Sequence, residues 1–175
     1  MKVLETDRLI LRRLAPDDAA FILELLNDPA FIRFIGDKGV RNVDDARKYI
    51  LNGPVASYEQ FGFGLYAVDL KESNAPIGMC GILKRETLPH PDIGFAFLPA
   101  YWNKGYAFES ASAVMTYARN TLKLDQVLAI TSLDNEASAK MLGKIGLRFD
   151  GTIKLSEDAP EVKLFTTDSE SRSAQ

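Results

Sequence analysis

The stretch that decides the reading is Asp92-Ile93-Gly94-Phe95-Ala96-Phe97-Leu98-Pro99-Ala100-Tyr101-Trp102-Asn103-Lys104-Gly105-Tyr106-Ala107-Phe108-Glu109-Ser110. Asp92 to Leu98 follows the breaker cluster Leu88-Pro89-His90-Pro91 and stops at Pro99, which predicts a strand. Further on, Phe108, Ala111, Met115, Ala118 and Leu122 recur at steps of three and four. That spacing is the apolar stripe of a helix packed on a sheet, with Glu109, Ser112 and Arg119 elsewhere on it. Between strand and helix lies a turn containing the small residues Gly105 and Ala107. The N–H groups of such a turn and of the first helical turn lack internal partners, and the helix dipole adds partial positive charge. Lys104 adds a full charge at the mouth, so the arrangement suits an anion such as a diphosphate. A tight strand-to-helix turn also needs a permissive backbone at its glycine, and one Gly-x-Ala does not choose between the two.

Working outward, Thr6 to Leu14 alternates charge with Leu and Ile, as a strand with one dry face does. Pro16, Asp17 and Asp18 then open a helix with Ile22, Leu25 and Leu26 inward, ending near Asn27 before Pro29. A loop from Phe34 to Arg41 leads to a second helix, capped by Asn42 with Asp45 reaching back. It carries Ala46, Tyr49 and Ile50 inward and is ended by Gly53-Pro54. Gly62 to Leu70 and Ala75 to Lys84 flank Glu72-Ser73-Asn74 as an antiparallel hairpin. Beyond the deciding stretch, Gln126 to Leu133 is an apolar run suited to a central strand covered on both faces. Asp134 or Asn135 caps a last helix with Ala137, Met141, Leu142 and Ile145 inward, which Gly146 ends. Leu147 to Leu155 and Glu161 to Thr167 close the sheet.

At 175 residues the chain is expected to form one domain, residues 1–167, with a polar tail at 168–175. Its 46% hydrophobic content supplies the apolar surface a folded core needs, which excludes disorder for the bulk of it. A net charge of -3 provides no basic field for nucleic acid or anionic membranes, so neither is an expected direct partner. The single Cys80 makes no internal disulfide, and with one histidine, His90, no Cys/His zinc set can be assembled. No stretch approaches the roughly 20 apolar residues that span a bilayer. A cytoplasmic protein, monomeric or homodimeric, is expected.

Trp102-Asn103-Lys104-Gly105-Tyr106-Ala107-Phe108-Glu109-Ser110, with Asn135-Glu136-Ala137-Ser138 and Lys144-Ile145-Gly146-Leu147 downstream, resembles the GNAT superfamily of acetyl-CoA-dependent N-acetyltransferases. The opening Glu5-Thr6-Asp7-Arg8-Leu9-Ile10-Leu11-Arg12 and the Asp44-Asp45-Ala46-Arg47 helix are similar to the branch containing ribosomal-protein N-terminal acetyltransferases. The resemblance runs to about Thr167. It implies an α+β, three-layer fold: a mixed, strongly bent sheet of about seven strands flanked by about four helices, with acetyl-CoA between splayed central strands. It also implies cofactor contacts at Phe97, Leu98, Trp102, Asn103, Lys104, Gly105, Tyr106, Ala107 and Asn135, and no metal. A backbone N–H in Phe97-Leu98 would polarise the thioester carbonyl. Two positions depart from the superfamily pattern. Asn103 stands where relatives often carry Gly, and Leu142 stands where many carry a Tyr general acid. Ser138 is carried over as the hydrogen-bond partner of the coenzyme sulfur.

Direct transfer from acetyl-CoA to a primary amine needs a neutral amine, donors for the developing oxyanion, and a hydrogen bond for the departing thiolate. Asp92 leads as the base, with Glu86, His90 and Glu109 as alternatives; an acid in a first helical turn is more simply explained by the dipole. Asn135 serves the cofactor, its own helix cap, or both, and Ser138 can equally bond its own backbone. Cys80 reads as a small buried hydrophobe. Phe61, Phe63, Tyr66, Phe95, Phe97 and Tyr101 read as strand core, with a minority walling an acceptor channel. The expected acceptor is a protein or peptide N-terminal amine. The alternatives are a polyamine or aminoglycoside acetyltransferase, or a non-catalytic acetyl-CoA-binding sensor.

Overall fold

The computed structural model describes residues 1–167; the expected tail at 168–175 lies outside the described residues. One eight-stranded sheet runs through the molecule. Its strands are β1 (Lys2–Glu5), β2 (Leu9–Arg13), β3 (Leu65–Leu70), β4 (Pro76–Leu83), β5 (Asp92–Phe97), β6 (Leu128–Ser132), β7 (Leu147–Lys154) and β8 (Glu161–Thr167). Their order in space is β1-β2-β3-β4-β5-β6-β8-β7, with every neighbouring pair antiparallel except β5 and β6. The helices are α1 (Ala19–Leu26), α2 (Pro29–Phe34), α3 (Val43–Ile50), α4 (Ala56–Phe61), α5 (Tyr106–Asn120) and α6 (Glu136–Lys144).

Alternation along the strands divides the core in two. Val68, Cys80, Ile82, Ile93 and Phe97 pack with Ala111, Val114 and Met115 of α5 and with Leu142 of α6. On the other face, Ala67 and Met79 pack with Phe21, Ile22 and Leu25 of α1, Phe31 of α2, and Ala46 and Ile50 of α3. The sheet is therefore the middle of three layers, as expected.

The departures from expectation have local causes. The strand expected over Thr6 to Leu14 is confined to β2, and an unexpected β1 precedes it, because the Thr6 N–H donates to the Leu9 carbonyl and the Leu9 N–H to the Thr6 hydroxyl, which closes a turn at residues 6–8. A further helix, α2, starts at Pro29, where the Asp28 carboxylate accepts from the Ala30 and Phe31 N–H groups. Gly53-Pro54 does not stop the chain. The helix widens into a π turn over Leu51–Val55 that tolerates the missing proline N–H, and α4 follows. Asn42 caps α3 through Asp45 N–H, but the Asp45 carboxylate reaches back to Arg41 N–H and not to Asn42. In α6, Ala139, Met141 and Ile145 pack around Leu142 while Ala137 is exposed.

The buried Tyr58 hydroxyl ties α4 to the sheet by accepting from Leu14 N–H at 3.0 Å and donating to the Leu65 carbonyl. Tyr58→Phe removes both bonds and leaves a buried amide unpaired, so it should cost about 1–3 kcal/mol. Urea unfolding should show a lower midpoint at unchanged slope; an unchanged midpoint would contradict this role.

Candidate active site

β5 and β6 run parallel, yet their register contains a single pair, Asp92 opposite Leu128, supported by a 2.9 Å bond from Leu128 N–H to the Pro91 carbonyl. Beyond it the strands part toward Phe97 and Ser132. Hydrogen bonding to β4 sets which groups line that gap. Leu98 N–H donates to the Ile77 carbonyl at 2.9 Å, and Gly78 lies opposite Phe97. Antiparallel pairs alternate between bonded and non-bonded, so the Phe97 and Phe95 amides turn to the edge facing the gap. The Phe97 carbonyl on that edge accepts the Trp102 indole N–H at 2.8 Å. Of the two residues expected to offer an amide, Leu98 thus spends its N–H in the sheet and Phe97 presents its own.

The connection to α5 passes through a short 3-10 turn at Pro99–Tyr101 and then through Trp102, Asn103, Lys104 and Gly105, all exposed, to half-buried Tyr106 and Ala107. Asn103 has φ 61° and Gly105 φ 84°. Asparagine is among the few residues that adopt this conformation at small cost, which accounts for Asn103 at a position whose backbone otherwise favours Gly. Of the two reasons weighed for Gly105, the structure bears out the permissive backbone. A Cβ there would meet the Arg8 guanidinium at 3.2 Å, so the left-handed backbone is what calls for glycine, and the space beside it belongs to Arg8.

At the N-terminus of α6, the Asn135 side-chain oxygen accepts from Ser138 N–H at 3.2 Å, so Asn135 is the cap. Asp134 instead accepts the Ser132 hydroxyl and pairs with Arg33 of α2 at 3.2 Å. Among the described residues, no protein group bonds the Ser138 hydroxyl. Leu142 is buried in the core, so no phenol is available at that position. Thr131 of β6, on the same strand face as Ala129, is only 7% exposed and its hydroxyl has no partner among the described residues. A buried polar group without a partner calls for a water or a ligand. Sequence reasoning missed it, because a threonine in a strand carries no such signal.

Asp92 sits at the closed end of the gap, 1% exposed, with Arg85 Nε at 3.1 and 3.2 Å from its two oxygens. Burial raises its carboxyl to about 6, against the pull of Arg85. Its side chain shares the face of Gly94 and Ala96, and it lies five residues from Phe97, roughly 16 Å along the strand. Glu86 is exposed and His90 half-buried in the connection before it. Glu109 is occupied, accepting from the Thr6 hydroxyl at 2.5 Å, Arg8 N–H at 3.0 Å and Arg8 Nε at 2.7 Å. Cys80 is fully buried, which pushes its thiol up to about 12 and bears out its reading as a core residue. Phe63, Tyr66 and Phe97 are core, whereas Phe61 is exposed and Phe95 and Tyr101 are half-buried.

The α1/α3 face carries two clefts. One, of about 530 Å³, includes Phe21, Glu24, Asp28, Leu98 and Tyr101; the other, of about 410 Å³, includes Lys38, Asp45, Lys48, Tyr49 and Asn52. No group of three or more His, Cys, Asp or Glu able to hold a metal occurs among the described residues, and no helix among them is long and apolar enough to cross a membrane.

Comparisons with known proteins agree with this architecture. An uncharacterized N-acetyltransferase of Bacillus subtilis, YoaA, is 30% identical over 154 residues, 87% of this chain and 86% of its own. The crystal structure of an acetyltransferase from Agrobacterium tumefaciens superposes with a TM-score of 0.81 at 26% identity, covering 96% of this chain and 94% of that one. A ribosomal L7/L12 alpha-N-protein acetyltransferase in complex with coenzyme A shares the fold, with a TM-score of 0.80 at 18% identity over 97% of this chain and 100% of that one. Residues 8–148 match the acetyltransferase (GNAT) domain family, and the chain belongs to it as an N-acetyltransferase, an acyltransferase of the fold that uses acetyl-CoA.

Proposed function

We propose that this enzyme moves an acetyl group directly from acetyl-CoA to the α-amine of a protein or peptide N-terminus. The observation that carries the reading is the gap between β5 and β6, which leads from the Phe97 amide to the N-H groups of residues 103–107. The diphosphate lies against the amides around Asn103 to Ala107, with Lys104 beside it, and Trp102 braces the turn through the Phe97 carbonyl. The pantetheine arm enters the gap, where the Thr131 hydroxyl and the Asn135 amide are free to bond it. Leu98 contributes through its place at the strand end and not through its N–H.

The Phe97 amide donates to the thioester oxygen as negative charge grows there, and the neutral amine forms the new C–N bond as the C–S bond breaks. Ser138 donates a hydrogen bond to the departing sulfur, which leaves as the thiol by taking up the proton that the acetylated nitrogen loses. Asp92, ionised above about pH 6, takes the ammonium proton before attack through water along the gap, because a separation of roughly 16 Å excludes direct contact with an acceptor at Phe97.

One argument favours an α-amine over a polyamine or aminoglycoside: neutralising an α-amine asks roughly 3 kcal/mol less of the base than neutralising a lysine-type amine. Charge in the clefts does not add to it, since the cleft at Lys38 and Lys48 is mixed while the one at Glu24 and Asp28 carries only acidic side chains. A soluble CoA sensor would bind the coenzyme without turnover.

Incubation with acetyl-CoA and a panel of N-terminal peptides, ribosomal proteins, polyamines and aminoglycosides, followed by free-thiol release, tests the reading. Acceptor-dependent thiol with peptides is expected. Thermal stabilisation by acetyl-CoA with no thiol from any acceptor would establish the sensor instead. Cys80→Ala should leave kcat/KM unchanged.

Asp92→Asn should lower kcat/KM on the order of 100-fold and remove a rising limb near pH 6. The same variant tests the carboxyl's energetics. Its unfolded value is 3.8 and its folded value about 6, so the folded chain holds that proton more tightly. The stability this contributes is full below about pH 4 and is lost as pH rises through 6, about 3 kcal/mol in all. Urea unfolding should therefore show the Asn variant gaining on wild type between pH 4 and 7.5. A difference that stays constant with pH would contradict the raised carboxyl.

A further inference from the structure

Arg8 lies in the turn between β1 and β2, far in sequence from the residues 103–107 loop, yet it meets that loop and α5 at four points. Its Nε donates to Glu109 Oε1 at 2.7 Å and its backbone N–H to Glu109 Oε2 at 3.0 Å. Its Nη1 donates to the Lys104 carbonyl at 2.9 Å, and its guanidinium lies 4.4 Å from the centre of the Tyr106 ring. The Lys104–Gly105 peptide is trans, so the Lys104 carbonyl and the Gly105 N–H point to opposite sides. Holding the carbonyl toward Arg8 turns the Gly105 N–H the other way. Glu109 raises a second issue. A carboxylate in the first turn of α5 suits the helix dipole, but it repels an anion bound at that same terminus. Burial alone would raise its carboxyl, yet hydrogen bonds from Thr6 and Arg8 outweigh that and keep it ionised, so its charge is countered by Arg8 and not by a proton.

We infer that Arg8 is a positioning residue for the coenzyme diphosphate: it orients the Lys104–Gly105 peptide and masks the Glu109 charge, without itself being the anion's ligand. The inference rests on the proposed placement of the diphosphate at residues 103–107. It makes the N-terminal turn part of the cofactor site, a link that the loop sequence alone does not contain.

The test is the dissociation constant of CoA, and of 3′-phospho-ADP, which keeps the diphosphate and lacks the pantetheine arm. Both are measured by calorimetry on wild type, Arg8→Lys, Arg8→Ala, Glu109→Gln and the Arg8→Ala/Glu109→Gln pair. Arg8→Ala should weaken both ligands about tenfold, equivalent to about 1.4 kcal/mol. Arg8→Lys, which restores charge without the guanidinium fork, should fall between Arg8→Ala and wild type. Removing Glu109 in the Arg8→Ala background should recover part of the loss. A merely structural role for Arg8 gives the opposite sign, because the double variant also replaces the charged acceptor of the Thr6 hydroxyl and the residue 8 N–H by a weaker, neutral amide oxygen; a double variant weaker than Arg8→Ala overturns the inference. Arg8→Ala binding both ligands as wild type does also overturns it, with the loop assignment intact. If 3′-phospho-ADP fails to compete with CoA on wild type, the loop assignment itself falls, and this inference with it.

Discussion

Everything in the site depends on two parallel strands that decline to pair. β5 and β6 meet at Asp92 and Leu128 and then separate, leaving the edge of β5 without a partner strand over its C-terminal half. An unpaired strand edge inside a sheet is costly unless something else takes its hydrogen bonds. A polar, elongated ligand lying along the edge, as proposed for the pantetheine arm, would answer that demand. The same parting brings the N-termini of α5 and α6 to the two sides of one opening, since each helix follows the strand that borders it.

The surrounding architecture keeps the opening in place. On its β4 side, β5 is held by a continuous antiparallel register from Asp92 to Phe97, and β6 is held by β8 from Leu128 to Ser132. The two halves of the sheet are each complete by themselves. Large apolar side chains of both halves, among them Phe97 and Phe165, share one core with Ala111, Val114 and Leu142. The gap is therefore a fixed feature between two packed blocks, which suits electrostatic preorganisation of the Phe97 amide.

Much of this was legible in the sequence where a single local signal sufficed. The 3.6-residue stripe at Ala111, Met115 and Ala118, the Asn42 cap and the hairpin around Ser73 each follow from short-range chemistry and recur in the fold, whereas Phe108, expected at the head of that stripe, is exposed. What escaped were features that depend on partners distant in the chain. The start of β2 at Leu9 and the separate β1 before it depend on Thr6 bonding Leu9, a turn with no glycine or proline to announce it. The choice between Phe97 and Leu98 depends on register against β4, which no pattern in β5 encodes. Arg8 and Thr131 take their meaning from residues around a hundred positions away, or from an empty hydrogen-bonding position, and neither has a sequence signature. In the opposite sense, the unusual Asn103 was visible in the sequence, and its φ of 61° supplies the reason.

The most direct measurement of the central claim is a two-dimensional amide NMR titration with CoA. Binding in the β5–β6 gap predicts the largest shifts at the amides of Phe97 and of residues 103–107, with little change at Leu98, whose N–H stays bonded to Ile77. Saturable shifts confined to the clefts around Lys48 or Glu24, with the Phe97 and Gly105 amides unmoved, would contradict it.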